Sequence, residues 1–371
     1  MLYRLGDTGP AVAEVQAVLG TLGLLPAPYP AEHYDQTTQH AVRIFQQRRG
    51  LSVDGIVGQE TYRALSAARW RLGERLLWHA SRPFVGDDVA ELQDRLLELG
   101  FDAGRVDGIF GARTTMALTS FQREYGLTPV DGSCGPVTLR AFRQLGRLVV
   151  GGRPHAMREG EQLHRSGMSL AGKVVVLDPG HGGQDPGSQA FGLSEAALVW
   201  DLATRLEGRL AAVGVRTLFT RSADRGPSDA ERADIANTAR ADLLISLHVD
   251  QASSPHPHGV SSYHFGTGSG TASTVGERLA SLVQREVVAR TDLLDCRTHG
   301  KSWDMLRLTQ MPAVRIEIGY LTSPEDARRL ADPALRDTVA EALLFAVQRL
   351  YLPAELDHPT GALRLPDLAR L

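Results

Sequence analysis

The amino-acid sequence predicts a multidomain protein in which two small all-α repeats of three helices each precede an α/β domain with a mostly parallel central sheet. Three observations predict this class. The chain has 371 residues, more than one ordinary domain of about 100 to 200. Its first 145 residues repeat at a period of 76 to 77, and its later part alternates strand-like and helix-like stretches. The expected domains are 1–72 and 73–146 for the repeats, 147–172 for a linker, 173–352 for the α/β domain and 353–371 for a tail.

The composition is that of a folded globular protein, with 43% hydrophobic and 22% charged residues. A net charge of -3 leaves no basic excess, so neither nucleic acid nor an anionic membrane is indicated as the main partner. Cys134 and Cys296 share no CxxC spacing and are expected to be free thiols. No signal peptide is recognised and no run reaches the ~18 apolar residues of a membrane span, which predicts a cytoplasmic protein without a transmembrane segment.

The repeats are predicted to be small helical bundles. Apolar residues recur near the 3.6-residue period over 12–22, and the second copy echoes them over 89–99. Asp-Gly pairs at 54, 107 and 131 mark tight turns, because glycine accepts a positive φ and aspartate caps the neighbouring backbone. Each copy is therefore expected to run helix, loop, helix, turn and short helix.

The α/β domain is predicted from the alternation of its segments. The runs KVVVLDPG, RTLFTR, DLLISLHVD and AVRIEIGYL are apolar and β-branched, as strands are. Helices are expected at 195–214, 228–241, near 273–290 and near 324–350. The preceding segment, from about 146 to 172, is Gly- and Arg-rich with little periodicity and is expected to be a linker.

Two histidines follow predicted strands. His181 comes directly after LDPG and His248 ends LLISLHVD, so both are expected at the carboxyl edge of the sheet, where clefts form. Either one, taken singly, also fits a structural imidazole. Glu195 opens a helix, where a carboxylate is also favoured by the helix dipole, by roughly 0.3 to 1 kcal/mol.

Glu317 interrupts the otherwise apolar strand VRIEIGYL, where an unpaired charge is expensive. Two explanations stay open. Glu317 pairs at the surface with Arg315, which faces the same side of the strand two residues away, or it is a catalytic carboxylate in a cleft.

Considered together, two imidazoles and one carboxylate suit Zn²⁺, which in catalytic sites commonly has three protein ligands and an open position. The spacing is wider than in a local HExxH motif and does not select this set by itself. His256, His258 and His264 cluster in SSPHPHGVSSYHF, but the surrounding prolines and serines indicate an exposed loop. No second metal site is predicted there.

Four separated blocks resemble, in this order, the catalytic domain of the N-acetylmuramoyl-L-alanine amidase 3 family. They are VVVLDPGHGGQDPG, the helix that Glu195 opens, ADLLISLHVD and MPAVRIEIGYLTSPED, and the resemblance covers about residues 173 to 351. The resemblance implies His181, Glu195 and His248 as zinc ligands and Glu317 as the catalytic acid/base.

Three further residues bear on this pocket. Asp185 is expected to orient His181, a role that carboxylates commonly have beside metal-bound imidazoles. Arg315 stands where the family usually has an apolar residue, and Asp250 at a position that is often Asn. Both departures are expected to alter the pocket.

The repeats resemble the peptidoglycan-binding domain 1 family of three-helix modules. The second copy matches throughout, including LQ at 92–93, VDGIFG at 106–111 and VDGSCG at 130–135. The first copy has Tyr34 and Asp35 where the second has Phe and Gly. The resemblance implies peptidoglycan as the partner, with glycan binding expected of the second copy.

Two hypotheses follow for the whole chain, which resembles the CwlM-type proteins of actinobacteria, a group in which some members lack metal ligands and act as regulators. The first is a zinc amidase that hydrolyses the amide between N-acetylmuramic acid and L-alanine in peptidoglycan or its muropeptide fragments, reaching the cell wall by a non-standard export route. The alternative is a cytoplasmic regulator that binds a peptidoglycan precursor or a peptidoglycan-synthesis protein. The intact set of four site residues favours the enzyme.

Overall fold

The computed structural model describes residues 2–145, 154–267, 272–352 and 357. The chain divides into two compact units, Met1–Arg158 and Glu159–Leu371. Part of the expected linker and nearly all of the expected tail lie outside the described residues. Among the residues described, no helix has the length and apolar character that crossing a membrane requires.

The first unit contains two three-helix repeats, as predicted. Each repeat has its own apolar core, which includes Phe45 in the first copy and Phe121 in the second. The central loops complete these cores with Tyr34 and Phe110, both fully buried, so the two aromatics occupy equivalent places. The helices are α1 Pro10–Thr21, α2 Gln36–Arg48, α3 Gln59–Ala67, α4 Asp87–Glu98, α5 Ala112–Glu124 and α6 Pro136–Gln144.

A buried glutamine links a helix to an Asp-Gly turn in each repeat. Gln122 Nε2 donates to Asp131 Oδ1, Ser133 O and Thr138 Oγ1, while its Oε1 accepts from the Gly132 N–H. One side chain thereby joins a helix, a turn and the start of the next helix. The same arrangement recurs at Gln46 and Gln93.

The segment expected as a linker contains a helix, α7 Pro154–Arg165, which the sequence interpretation missed. The helix is largely polar, and it is held by tertiary contacts that no local pattern reveals. Leu163 packs against the core of the second unit. Glu159 Oε2 accepts hydrogen bonds from Ser273 Oγ at 2.9 Å and from the Val275 N–H at 3.1 Å.

The second unit is an α/β domain, and its first half alternates strands with helices as expected. After α7 it contains β1 Val174–Pro179, β2 Gln189–Ala190, β3 Leu193–Ser194, α8 Glu195–Ala212, β4 Arg216–Phe219, α9 Asp229–Thr238, β5 Leu243–Asp250, β6 Val260–Phe265, α10 Thr274–Arg290, β7 Asp295–Lys301, α11 Asp304–Leu308, β8 Ala313–Tyr320, α12 Pro324–Ala331 and α13 Pro333–Tyr351.

Six of these strands form one sheet in the order β4-β1-β5-β8-β6-β7. The neighbours β4, β1, β5 and β8 are parallel, β6 is antiparallel to β8, and β7 is parallel to β6. The prediction of a mostly parallel central sheet is confirmed. The short strands β2 and β3 form a separate hairpin.

Two features of this domain differ from the sequence expectation. Strands β6 and β7 were not predicted, because VSSYHF buries hydroxyls and an imidazole, and DCRTHGK is a polar edge strand without an apolar run. The helix expected near 324–350 is two helices. Pro333 cannot continue α12, and Asp332 caps α13 by accepting from the Ala334 N–H.

The two faces of the sheet have different chemistry. One is apolar along its whole length and packs against α8, α10 and α13, with Val175, Leu177, Ile245, Val314 and Ile316 among its residues. The other is apolar only near the amino ends of the strands, where it packs with Met305 and Leu306 of α11. Towards the carboxyl ends it becomes polar, with Asp178, Ser246, His248, Arg315 and Glu317 on neighbouring strands.

Candidate metal centre

His181 lies on the loop after β1, in a left-handed backbone conformation with φ of 57°. Two buried arginines hold this loop by its carbonyl groups. Arg232 Nη2 donates to His181 O at 2.7 Å, and Arg221 donates to Pro179 O at 2.6 Å and Gly180 O at 3.1 Å. The uncommon conformation of His181 is therefore over-determined by its surroundings, as expected at a functional loop.

Glu195 is the first residue of α8 and is almost completely buried. Its Oε2 accepts a hydrogen bond from the Ser188 N–H and its Oε1 from the Val249 N–H, both at 3.0 Å. Burial by itself raises the pKa of a carboxyl group, but hydrogen bonds with His181 and His248 hold the pKa of Glu195 well below its usual range. The carboxylate is thus fixed and ionised.

His248 is buried near the end of β5, with Nδ1 2.9 Å from Glu195 Oε1. Burial lowers its pKa to about 4, and the charge of Arg315 acts in the same direction, so the imidazole is neutral near pH 7. His181 differs, because hydrogen bonding to Glu195 raises its pKa to about 9. Its Nε2 lies 3.1 Å from Glu195 Oε2, and its Nδ1 lies 2.7 Å from Asp185 Oδ2.

One potential ligand atom from each of His181, Glu195 and His248 lies within 4.8 Å of the others, and no second such group occurs among the described residues. Glycines leave room for this cluster. A Cβ atom at Gly180 would lie 2.1 Å from His248 Cε1, and one at Gly187 would lie 2.7 Å from Glu195 Oε2. Two imidazoles and a carboxylate, with Asp185 behind one imidazole, form a donor set that fits a divalent metal such as zinc.

Glu317 is 4% exposed and lies on β8, in register with His248 of the adjacent parallel strand. Arg315 Nε lies 2.8 Å and Nη2 2.6 Å from Glu317 Oε1. Burial raises the pKa of Glu317 to about 7, while the guanidinium group acts in the opposite direction. The ion pair considered from the sequence exists, but both of its side chains are mostly buried rather than at the surface.

Asp178 lies near the end of β1 and is fully buried. It accepts hydrogen bonds from Ser246 Oγ at 2.6 Å, from Arg232 Nη1 at 2.8 Å and from Thr220 Oγ1. Although burial acts the other way, the charge of Arg232 and these hydrogen bonds hold the pKa of Asp178 below its usual range. Arg232 in turn links this carboxylate to the loop that carries His181.

Sequence reasoning missed Asp178, Ser188, Arg221 and Arg232 as supports of this site. Arg232 lies on α9 in the run AERAD, where an arginine has the appearance of a solvated side chain. Only Asp178 could have been recognised from the sequence, because its carboxylate stands at the end of the apolar strand that carries the LDPG motif. The remaining predicted residues do converge: Asp185 contacts His181, and Arg315 contacts Glu317.

The other histidines stay apart from this cluster. His256 and His258 are not buried, whereas His264 is buried on β6 with Nδ1 near the carbonyl oxygen of Phe265. Among the described residues, these three histidines belong to no group of three potential metal ligands. Cys134 and Cys296 are both free, also as expected.

Fold and site together define a class: an α/β domain with a potential metal centre at the carboxyl edge of its sheet, preceded by helical repeats. Comparison with protein-family models gives two matches. Residues 175–349 match the N-acetylmuramoyl-L-alanine amidase model, and residues 8–65 and 85–142 each match the model described as a peptidoglycan binding domain.

Two relatives and one solved structure are similar to this chain. The chain is 51% identical to the N-acetylmuramoyl-L-alanine amidase CwlM of Mycobacterium tuberculosis, over 98% of this chain and 93% of that protein. It is 31% identical to the amidase LytC of Bacillus subtilis over 47% of this chain and 34% of that one. Among solved structures, the amidase AmiC2 of Nostoc punctiforme is 29% identical, covering 48% of this chain and 96% of that one with a TM-score of 0.44.

The chain belongs to the N-acetylmuramoyl-L-alanine amidase family, and it combines the amidase domain with two peptidoglycan-binding-type repeats. The family resemblance predicted from the four sequence blocks and from the repeats is confirmed.

Proposed function

We propose that this protein is a zinc-dependent N-acetylmuramoyl-L-alanine amidase that hydrolyses the amide between the lactyl group of N-acetylmuramic acid and L-alanine of the stem peptide. The observation that carries the proposal is the convergence of His181, Glu195 and His248 from three separate elements, with Glu317 beside them on the adjacent strand. Family membership supplies the substrate class.

His181, Glu195 and His248 are the proposed zinc ligands, and Asp185 holds the ring of His181 in orientation. A zinc ion bound there supplies Lewis acidity, which polarises a carbonyl and makes water more acidic. Glu317 takes a proton from the attacking water and returns it to the leaving amine, a role typically worth about 10² to 10⁴-fold in rate. Burial supports this role, since it keeps the pKa of Glu317 close to neutral.

The repeats are proposed to hold peptidoglycan strands near the amidase domain. The second copy is the better candidate, because all of its motifs match the family pattern. In the first copy, Asp35 stands where the second copy has Gly111, and it caps α2 by accepting from the Thr38 N–H.

A second candidate function is a non-hydrolytic regulator that binds a peptidoglycan precursor or a peptidoglycan-synthesis protein. One observation favours it: Arg315 forms an ion pair with Glu317, the proposed acid/base, inside the cleft. In that function the pair would neutralise a carboxylate that no longer transfers protons.

Metal analysis and hydrolysis by the same preparation separate the two candidates. Purified wild-type protein is expected to bind one zinc ion and to release stem peptide from peptidoglycan. Glu317→Gln removes the proton-accepting oxygen at nearly constant volume, so we expect retained zinc and a rate lowered about 10² to 10⁴-fold. Glu277→Gln, an exposed carboxylate on α10, is the matched control and should release peptide at the wild-type rate.

Zinc-loaded wild-type protein that releases no more peptide than Glu317→Gln would contradict the enzyme and favour the regulator. Protein that binds no zinc, even on reconstitution, would contradict the metal assignment as well.

A further inference from the structure

Two nitrogens of Arg315 lie within hydrogen-bond distance of the same carboxylate oxygen of Glu317. Its Nε and Nη2 lie 2.8 and 2.6 Å from Oε1. Among the described residues, no group donates a hydrogen bond to Oε2. The two oxygens of this carboxylate are therefore unequal: Oε1 is held, and Oε2 is left to react.

An aromatic pair holds Arg315 in turn. The guanidinium carbon lies 4.6 Å from the ring centre of Trp303, which lies 4.8 Å from that of Tyr263. Ser261 Oγ donates to the Tyr263 hydroxyl at 3.0 Å. Strand register strengthens the arrangement, because Tyr263 of β6 pairs with Arg315 and Ser261 pairs with Glu317.

The chemistry of arginine suits this place. Its planar guanidinium can donate to a carboxylate in its plane while an aromatic ring covers its face. The side chains of Arg315 and Glu317 are both mostly buried. In such a desolvated environment a charge-assisted hydrogen bond is strong and an unpaired charge is costly. Trp303 contacts Arg315 and Arg315 contacts Glu317, so the guanidinium connects the aromatic ring to the carboxylate.

We propose that Arg315, held by Trp303, is a positioning residue for the amidase reaction: it grips Oε1 of Glu317 so that Oε2 is presented for proton transfer. This inference rests on the proposed function. The ion pair then orients the acid/base instead of disabling it.

Steady-state release of stem peptide by zinc-loaded full-length protein tests the inference. Arg315→Leu is expected to lower kcat at least tenfold, up to about 10²-fold, because misplacing a reacting group by about 1 Å costs that much. KM should stay within about twofold, since substrate binding is not removed. Arg315→Lys keeps the charge and should recover part of kcat, whereas Arg216→Leu, an exposed arginine of β4, should behave as wild type.

Trp303→Leu keeps the ion pair but removes its support, and it covers the case in which Arg315→Leu does not fold. Like Arg315→Leu, this variant should have a lower kcat than wild type, and its zinc content should be unchanged.

The outcomes are distinct. An active wild type with unchanged or raised kcat in Arg315→Leu and Trp303→Leu overturns this inference and leaves the amidase proposal standing. A raised KM with unchanged kcat in these two variants also overturns it. A wild type that binds zinc but is inactive overturns the amidase proposal, and this inference with it.

Discussion

At the scale of single residues, the two histidines of the candidate metal centre differ in burial and in their charged neighbours. His181 and His248 share the carboxylate of Glu195, yet the first is partly exposed beside a second carboxylate and the second is buried. Their pKa values move in opposite directions, to about 9 and about 4. In the metal-free cluster near neutral pH, His181 is therefore a charged imidazolium and His248 a neutral imidazole.

This difference predicts proton release on metal binding. Zinc requires a neutral imidazole, so binding at pH 7 to 8 should release about one proton, which comes from His181 and not from His248. Calorimetric titration with zinc in buffers of different ionisation enthalpy measures that number. Release should fall towards zero as the pH rises past about 9, and release of no proton at pH 7 would contradict the assignment.

The raised pKa of His181 also predicts how the stability of the metal-free protein depends on pH. The pKa of His181 is raised from its ordinary value of 6.5, so its contribution to metal-free stability is complete below that pH. The contribution is lost as the pH rises through about 9. Zinc binding and metal-free stability should thus respond to alkaline pH in opposite directions.

At the scale of elements, one short loop contacts two of the three candidate ligands. The loop from Asp185 to Ser188 contacts His181 through the Asp185 carboxylate and Glu195 through the Ser188 N–H. Gly187 has a φ of 64° and lies against both ligands. Nearby Gly192 has a similar φ of 75° but nothing within 4 Å of an added Cβ.

These two glycines form a matched pair for a prediction. Alanine at either position meets the left-handed backbone penalty, of about 1 to 2 kcal/mol. Only Gly187→Ala adds a clash, with its Cβ 2.7 Å from Glu195 Oε2 and from His181 Cδ2. We expect both variants to lose similar stability in urea, and Gly187→Ala alone to bind zinc about tenfold or more weakly. Equal zinc affinity in the two variants would show that the loop does not constrain the ligands.

At the scale of the whole molecule, the two units have separate apolar cores, and all three candidate ligands belong to the second. A ligand stabilises only the folded state that binds it, by about 2.7 kcal/mol at a concentration of 100 times Kd. The cores of the repeats contain no candidate ligand. Zinc should therefore act on the amidase domain.

Calorimetry of the full chain with and without zinc tests this expectation. Zinc should raise the unfolding temperature of the transition that includes the amidase domain. The shift should disappear in His181→Ala, which removes one ligand. Hydrogen exchange shows which unit zinc stabilises, because added protection should appear in peptides from the second unit. Protection confined to the repeats would contradict the expectation that zinc acts on the amidase domain.

Much of this molecule was predictable because the relevant patterns are local. The repeat period, the helical spacing and the apolar strands are properties of neighbouring residues, and the structure has the repeats and the mostly parallel sheet in the expected order. The position of His181 directly after a strand and that of His248 near the end of a strand were also local information. In a parallel sheet such positions meet at one edge.

The sequence by itself thus determined the class of fold, the family and the four residues on which the amidase proposal stands. Only the tertiary structure decided how those residues are held. The Arg232 and Asp178 contact joins positions 54 residues apart, and strands β6 and β7 depend on pairing rather than on an apolar run. The Arg315 and Glu317 pair was conceivable from their spacing, but its burial against Trp303 was not. Such contacts depend on which segments pack together, and periodicity along the chain carries no information about that.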